Sequence, residues 1–157
     1  MPSHTPQPAR GRIAGVDFGT VRIGVALCDR DRTVASPYEN YTRRGAEQDA
    51  KWFNHLAAEE EITLWVVGLP VHLDGQESQK STEARQFGRW LAETTGVPVE
   101  FFDERFTTSE AEQLLLGAEM TSKRRKKRLD MLAAQVMLSA YLESSNKGQQ
   151  EPGPLDD

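Results

Sequence analysis

Acidic residues stand at three places far apart in the chain, each a position where a carboxylate is costly. Asp17 ends an apolar run and is followed at once by Phe18-Gly19-Thr20. Asp103-Glu104 closes a second apolar run, Val99 to Phe102. Asp130 opens the last helical segment, and Ala133, Ala134 and Met137 follow it at i+3, i+4 and i+7, so it lies on an apolar face of small residues. A carboxylate on a face that packs inward must be neutral, hydrogen-bonded or metal-bound. Carboxylates brought together repel one another, and a divalent cation removes that repulsion. Oxygen ligands without a cysteine or histidine cluster favour Mg²⁺ or Mn²⁺ over zinc. A pair of such ions suits phosphodiester hydrolysis, one activating water and the other stabilising the leaving oxygen.

Simpler readings compete at each position. Aspartate is common at turns. Thr107 and Glu110, like Ser109 and Glu112, have capping-box spacing, so Asp103-Glu104 could mark only a strand end before a helix start; that cap leaves Glu104, three residues before it, without a role. Asp130 could be a charge favoured by the helix dipole. Asp17-Phe18-Gly19-Thr20 with Gly24 also fits a loop that holds a nucleotide phosphate, as in two-domain sugar kinases, but the chain has room for one such domain and no second loop. The three histidines make no zinc site: His4 falls in an expected tail, His55 on a helix and His72 in a loop.

Lys123, Arg124, Arg125, Lys126, Lys127 and Arg128 form an unbroken basic run in a chain of net charge −5. Such a run is often a solvated loop. Here it lies just before, or in the first turn of, the last helix, where positive charge opposes the helix dipole and repels itself. A polyanion relieves both costs, and contacts of this kind give affinity for a phosphate backbone without reading its sequence.

The elements that must position these groups follow from hydrophobic spacing. Residues 12–18 and 23–28 read as a hairpin, with a third strand around 33–42 bent by Pro37. Residues 46–60 and 79–95 read as amphipathic helices. The non-alternating run 62–68 reads as a strand buried on both faces, and Val99 to Phe102 as a fifth strand. A short helix is expected over 110–116 and a last helix over about 129–143, after a loop holding the basic run. The order predicts one mixed α/β sheet, three antiparallel strands followed by two parallel ones, flanked by helices. Its ligands should gather beyond the carboxyl ends of the parallel strands, where Asp17, Glu104 and Asp130 all point.

A length of 157 residues suits one domain. Residues 1–11 and 144–157 are expected as disordered tails around a folded body at 12–143, since neither stretch could bury enough surface to offset its ordering. The apolar stretch 64–71 is too short to span a bilayer and no secretory signal is visible. The one cysteine, Cys28, sits inside an apolar run and reads as a buried hydrophobe. A cytoplasmic location is expected.

The segments GVDFGTVRIGVALCD, VVGLPVHLDG, FFDERFTTSEAEQLL and LDMLAAQVMLSAYLE, in this order over Gly15 to Glu143, resemble the YqgF/RuvX family of pre-16S rRNA nucleases, which are related to Holliday-junction resolvases. The resemblance implies a ribonuclease-H-like fold and an acidic active-site set of Asp17, Glu104 and Asp130, with Asp103 as a helper, holding Mg²⁺ or Mn²⁺. It implies roles for Arg105, Thr107 and Thr108, and for a loop of Gly68, Pro70, Asp74 and Gly75. Its implied substrate is the 5′ end of 16S rRNA precursor, with ribosomal particles as partners; the basic run, on its own charge, is expected to guide the strand in. Branched DNA is the second substrate, and a binding factor without catalysis the third reading. Val21 and His72 depart from the family's usual lysine and asparagine.

Overall fold

The two apolar runs at the start of the chain form β1 (Arg12–Asp17) and β2 (Arg22–Cys28), antiparallel, with Asp17 opposite Gly24. This is a computed structural model and describes residues 11–70, 78–104 and 122–150, with side chains of the last segment described over 131–145. β3 (Ala35–Thr42) adds antiparallel to β2. After α1 (Ala46–Glu59), β4 (Ile62–Leu69) returns parallel to β1. After α2 (Gln79–Thr95), β5 (Val99–Asp103) pairs parallel to β4. The spatial order is β3-β2-β1-β4-β5, and α3 (Ser122–Gln150) completes the described chain. This is the mixed five-stranded sheet that the sequence predicts.

Side chains on a strand alternate between faces, and each face builds its own core. On one side Val16, Ile23, Val25, Trp65 and Val67 meet Phe53 and Leu56 of α1 and Phe87 and Leu91 of α2. On the other, Ile13, Ala26 and Val66 meet Ala134, Met137 and Leu138 of α3. Two-sided burial explains the continuous apolar run of β4, whose residues Trp65, Val66 and Val67 are fully covered. Cys28 is buried, its sulfur accepting the Ile13 N–H at 3.1 Å, and burial pushes its thiol up. Among the described residues, no helix is long and apolar enough to cross a membrane.

The ends of α1 and α2 are fixed by polar contacts. Asp49, buried in the first turn of α1, accepts from the Tyr41 hydroxyl at 2.6 Å, the Arg44 N–H at 2.8 Å and Arg43 Nε at 3.4 Å. Ser78 caps α2 by accepting the Ser81 N–H at 3.2 Å, and Gly96 ends it in the left-handed region at φ 73°.

The last helix departs from expectation. It starts at Ser122 and runs to Gln150, so the basic run lies in its first turns rather than in a loop, and residues 144–150 continue it rather than starting a tail. Lys, Arg, Leu, Met, Gln and Ala are strong helix formers, and like-charge pairs on a helix cost only a few tenths of a kcal/mol each. The first proline after Asp130 is Pro152, so nothing earlier stops the backbone. The expected helix over 110–116 and the N-terminal stretch 1–10 lie outside the described residues.

α3 approaches β1 closely at Gly15. A methyl there would sit 2.8 Å from Leu138 Cβ and 3.2 Å from the Ala134 carbonyl oxygen. Neither atom is the free end of a side chain, so the helix itself would have to move. Gly15→Ala is therefore expected to lower stability by about 1–3 kcal/mol, read as a fall in the denaturant midpoint at unchanged slope.

Candidate active site

The parallel register brings three strand ends to one rim. Val16 pairs with Val67, and Leu69 with Asp103, so the carboxyl ends of β1, β4 and β5 lie side by side. A cleft of about 430 Å³ opens there. Its walls are Asp17 and the Phe18–Arg22 turn from the hairpin, Gly68 and Pro70 from the end of β4, Lys80 and Glu83 from the start of α2, and Glu104 just after β5. Two glycines make this shape possible. A Cβ on Gly19 would stand 2.3 Å from the Arg22 carbonyl oxygen, so the turn that carries Asp17 into the cleft closes only on glycine. A Cβ on Gly68 would stand 2.5 Å from Glu104 Oε1, so the missing side chain is the space the Glu104 carboxyl occupies.

A side-chain hydrogen bond joins Glu104 to Asp17. Burial pushes the Glu104 carboxyl above the usual carboxylate range; the hydrogen bond to Asp17 opposes this, the charge of Asp103 adds to it, and the Lys80 ammonium opposes it. Two carboxyls in contact in a half-buried cleft must share either a proton or a cation. Phe18, the residue after Asp17, turns away from this pair: its ring lies 4.9 Å from Phe87, with the Arg43 guanidinium 5.2 Å from its centroid.

A model of the family described as "RuvX: Holliday junction resolvase" matches residues 11–144. The chain belongs to the RuvX family. A RuvX relative from Rhodopirellula baltica, named "Putative pre-16S rRNA nuclease", is 53% identical over 137 residues, covering 87% of this chain and 79% of its own. One of the same name from Koribacter versatilis is 37% identical over 147 residues, covering 94% of this chain and 96% of its own. Among solved structures, T. thermophilus RuvC in complex with Holliday junction substrate superposes with TM-score 0.54 at 14% identity, over 87% of this chain and 97% of that one. The yeast mitochondrial Holliday junction resolvase superposes with TM-score 0.52 at 11% identity, over 92% and 84%. At these identities the likeness shows the fold, which is ribonuclease-H-like.

Of the residues expected at a RuvX site, the structure brings Asp17 and Glu104 into contact. Asp103 stays at the strand end beside them, acting on Glu104 through its charge. Asp130 is placed on α3, one turn ahead of Ala134; its side chain, those of Lys123 to Arg128, and all of Arg105, Thr107, Thr108, His72, Asp74 and Gly75 lie outside the described residues. Among the described residues no group of three or more His, Cys, Asp or Glu side chains is placed to hold a metal ion. The Asp17–Glu104 pair nevertheless has the right chemistry for a hard cation: oxygen donors only, in contact, with space kept by a glycine. Val21, the departure from the usual lysine, lines the cleft with 63% of its surface exposed.

Lys80 and Glu83 are cleft residues that the sequence reading leaves out. The signal for them was present. They stand at i and i+3 at the start of the helix following a parallel strand, and such starts sit at the carboxyl rim where ligands collect.

Proposed function

We propose that this RuvX chain is a metal-dependent nuclease that hydrolyses phosphodiester bonds and trims the 5′ end of 16S rRNA precursor in the cytoplasm. The observation that supports this best is the contact between the Asp17 and Glu104 carboxyls at the rim of the parallel strands. Asp17 and Glu104, with Asp130 from α3, would hold Mg²⁺ or Mn²⁺. When bound, the ion supplies Lewis-acid chemistry, activating water and polarising the phosphoryl oxygens. The chain's own residues then have distinct tasks. Asp17 and Glu104, both ionised when the cation is bound, would present their oxygens to one point. Lys80, whose charge already acts on Glu104, and Arg22 on the cleft wall offer cations to the non-bridging oxygens of the scissile phosphate. Arg105 and the six cations of Lys123 to Arg128 guide the strand by backbone charge. The names of the relatives support the RNA substrate, and association with precursor ribosomal particles follows from it.

The family's description as a Holliday junction resolvase favours a second reading, in which the substrate is a four-way DNA junction. Cutting two strands in concert calls for a symmetric dimer. Purified protein incubated in Mg²⁺ or Mn²⁺ with precursor rRNA and, separately, a synthetic four-way junction decides between them. Cleavage of the precursor, abolished by chelation, is expected; cleavage of the junction alone would overturn the RNA assignment.

A further inference from the structure

A second cavity, of about 320 Å³, adjoins the carboxylate cleft and shares Phe18, Thr20 and Glu83 with it. Its lining is unlike that of the cleft. Phe87 and Trp90 of α2 continue from Phe18 as a row of aromatic rings, with centroids 4.9 Å and 5.5 Å apart and each pair tilted by 32°. Trp90 is only partly buried, so part of its indole faces the cavity. Arg43 closes the other side, held over Phe18 and paired with Asp49 at 3.4 Å. A phosphate is a poor occupant: the Arg43 charge is already answered by Asp49, and Glu83 places a negative charge on the wall. A flat, uncharged ring suits the site well. It can stack on Trp90 and the guanidinium plane, and Glu83 and Gln86 can accept from or donate to its edge.

Resting on the nuclease reading of the adjoining cleft, we infer that this aromatic cavity receives one unstacked nucleobase of the substrate strand, next to the phosphate that enters the cleft of Asp17, Glu104, Lys80 and Arg22. The strand therefore crosses Thr20 from one cavity to the other, and the enzyme needs its substrate single-stranded at that nucleotide. A base paired in a duplex could not enter without being flipped out of its stack.

The test is a walk of one abasic residue along a short single-stranded RNA, with binding measured on the Asp17→Asn protein so that the strand stays intact. One position is expected to lose about tenfold in affinity, the size of one stacking contact. Adding Trp90→Ala should cost the intact strand a similar factor and cost nothing further when that position is already abasic; Trp90→Phe should restore most of the loss. The intact strand annealed to its complement should bind more weakly than the single strand. Equal affinity at every abasic position, within about twofold, would overturn the inference, since that measurement needs no change at Trp90 and so no refolded core. A sensitive position unaffected by Trp90→Ala would overturn it too. Cleavage is scored separately with unaltered protein in Mn²⁺. If the binding pattern appears but the RNA is never cut, the base cavity stands and the nuclease reading fails.

Discussion

Asp17→Asn is expected to lower cleavage of precursor RNA by about a thousandfold or more, leave strand affinity within about threefold, and leave the fold as stable as before or slightly more so. The side-chain volume is unchanged, so the hairpin and the Gly19 turn keep their geometry. The amide can donate to Glu104, replacing the hydrogen bond that now joins the two carboxyls. One ionisable group leaves a pair in which burial already opposes the charge of Glu104, so the apo protein loses nothing and can gain, as is common where a site holds groups in unfavourable company. On the proposed mechanism, function would lose an anionic oxygen ligand, and with it several kcal/mol of charge stabilisation in the transition state, which corresponds to the stated factor. Single-turnover cleavage, filter binding and thermal unfolding in chelator measure the three quantities. A non-catalytic binding factor would instead show no metal-dependent cleavage in the parent protein. Cleavage that survives the substitution undiminished would remove Asp17 from the mechanism.

How far the sequence discloses this site depends on what each residue answers to. β1 and β4 are buried on both faces, so their apolar runs mark their ends almost to the residue: 62–68 was expected where β4 spans Ile62–Leu69. β5 is an edge strand of the described sheet, with Glu100 exposed and its other residues partly buried; it was expected at 99–102 and spans Val99–Asp103. The acids that close those runs stand out because they interrupt a hydrophobic pattern. Two crossovers of fixed hand then place both strand ends at one rim, which makes the meeting of Asp17 and Glu104 readable without coordinates. The last helix was less legible. Its first turns hold six cations, which read as a solvated loop when charge is weighed above backbone propensity, whereas long unbranched side chains favour helix. Gly68 was legible as the end of the expected strand 62–68 and as part of a loop motif, but not for its meaning, which is the space it leaves for the Glu104 side chain just after β5. Lys80 and Glu83 were passed over because apolar positions define an amphipathic helix, while its polar first turn is what lines the cleft.

Gly68→Ala is expected to separate the site from the fold. The new methyl would lie 2.5 Å from Glu104 Oε1 and 3.1 Å from its Cδ and Cγ. All three atoms belong to the outer part of a flexible side chain, so the collision is relieved by rotating Glu104 rather than by moving β4. Alanine is also tolerated better than glycine within a strand. The unfolding midpoint should therefore stay within about 1 kcal/mol of the parent. The carboxyl cannot return to its place against Asp17, and a displacement of roughly 1 Å in a catalytic group costs about a hundredfold in rate. Glu104→Gln supplies the control: it leaves the carboxamide in position, removes the charge, and should fall at least as far in activity. If Gly68→Ala cleaves like the parent while Glu104→Gln does not, the carboxyl reaches its working position from another rotamer and the cleft seen here rearranges around the substrate. If both cleave like the parent, Glu104 is not a metal ligand and the Asp17–Glu104 contact is structural.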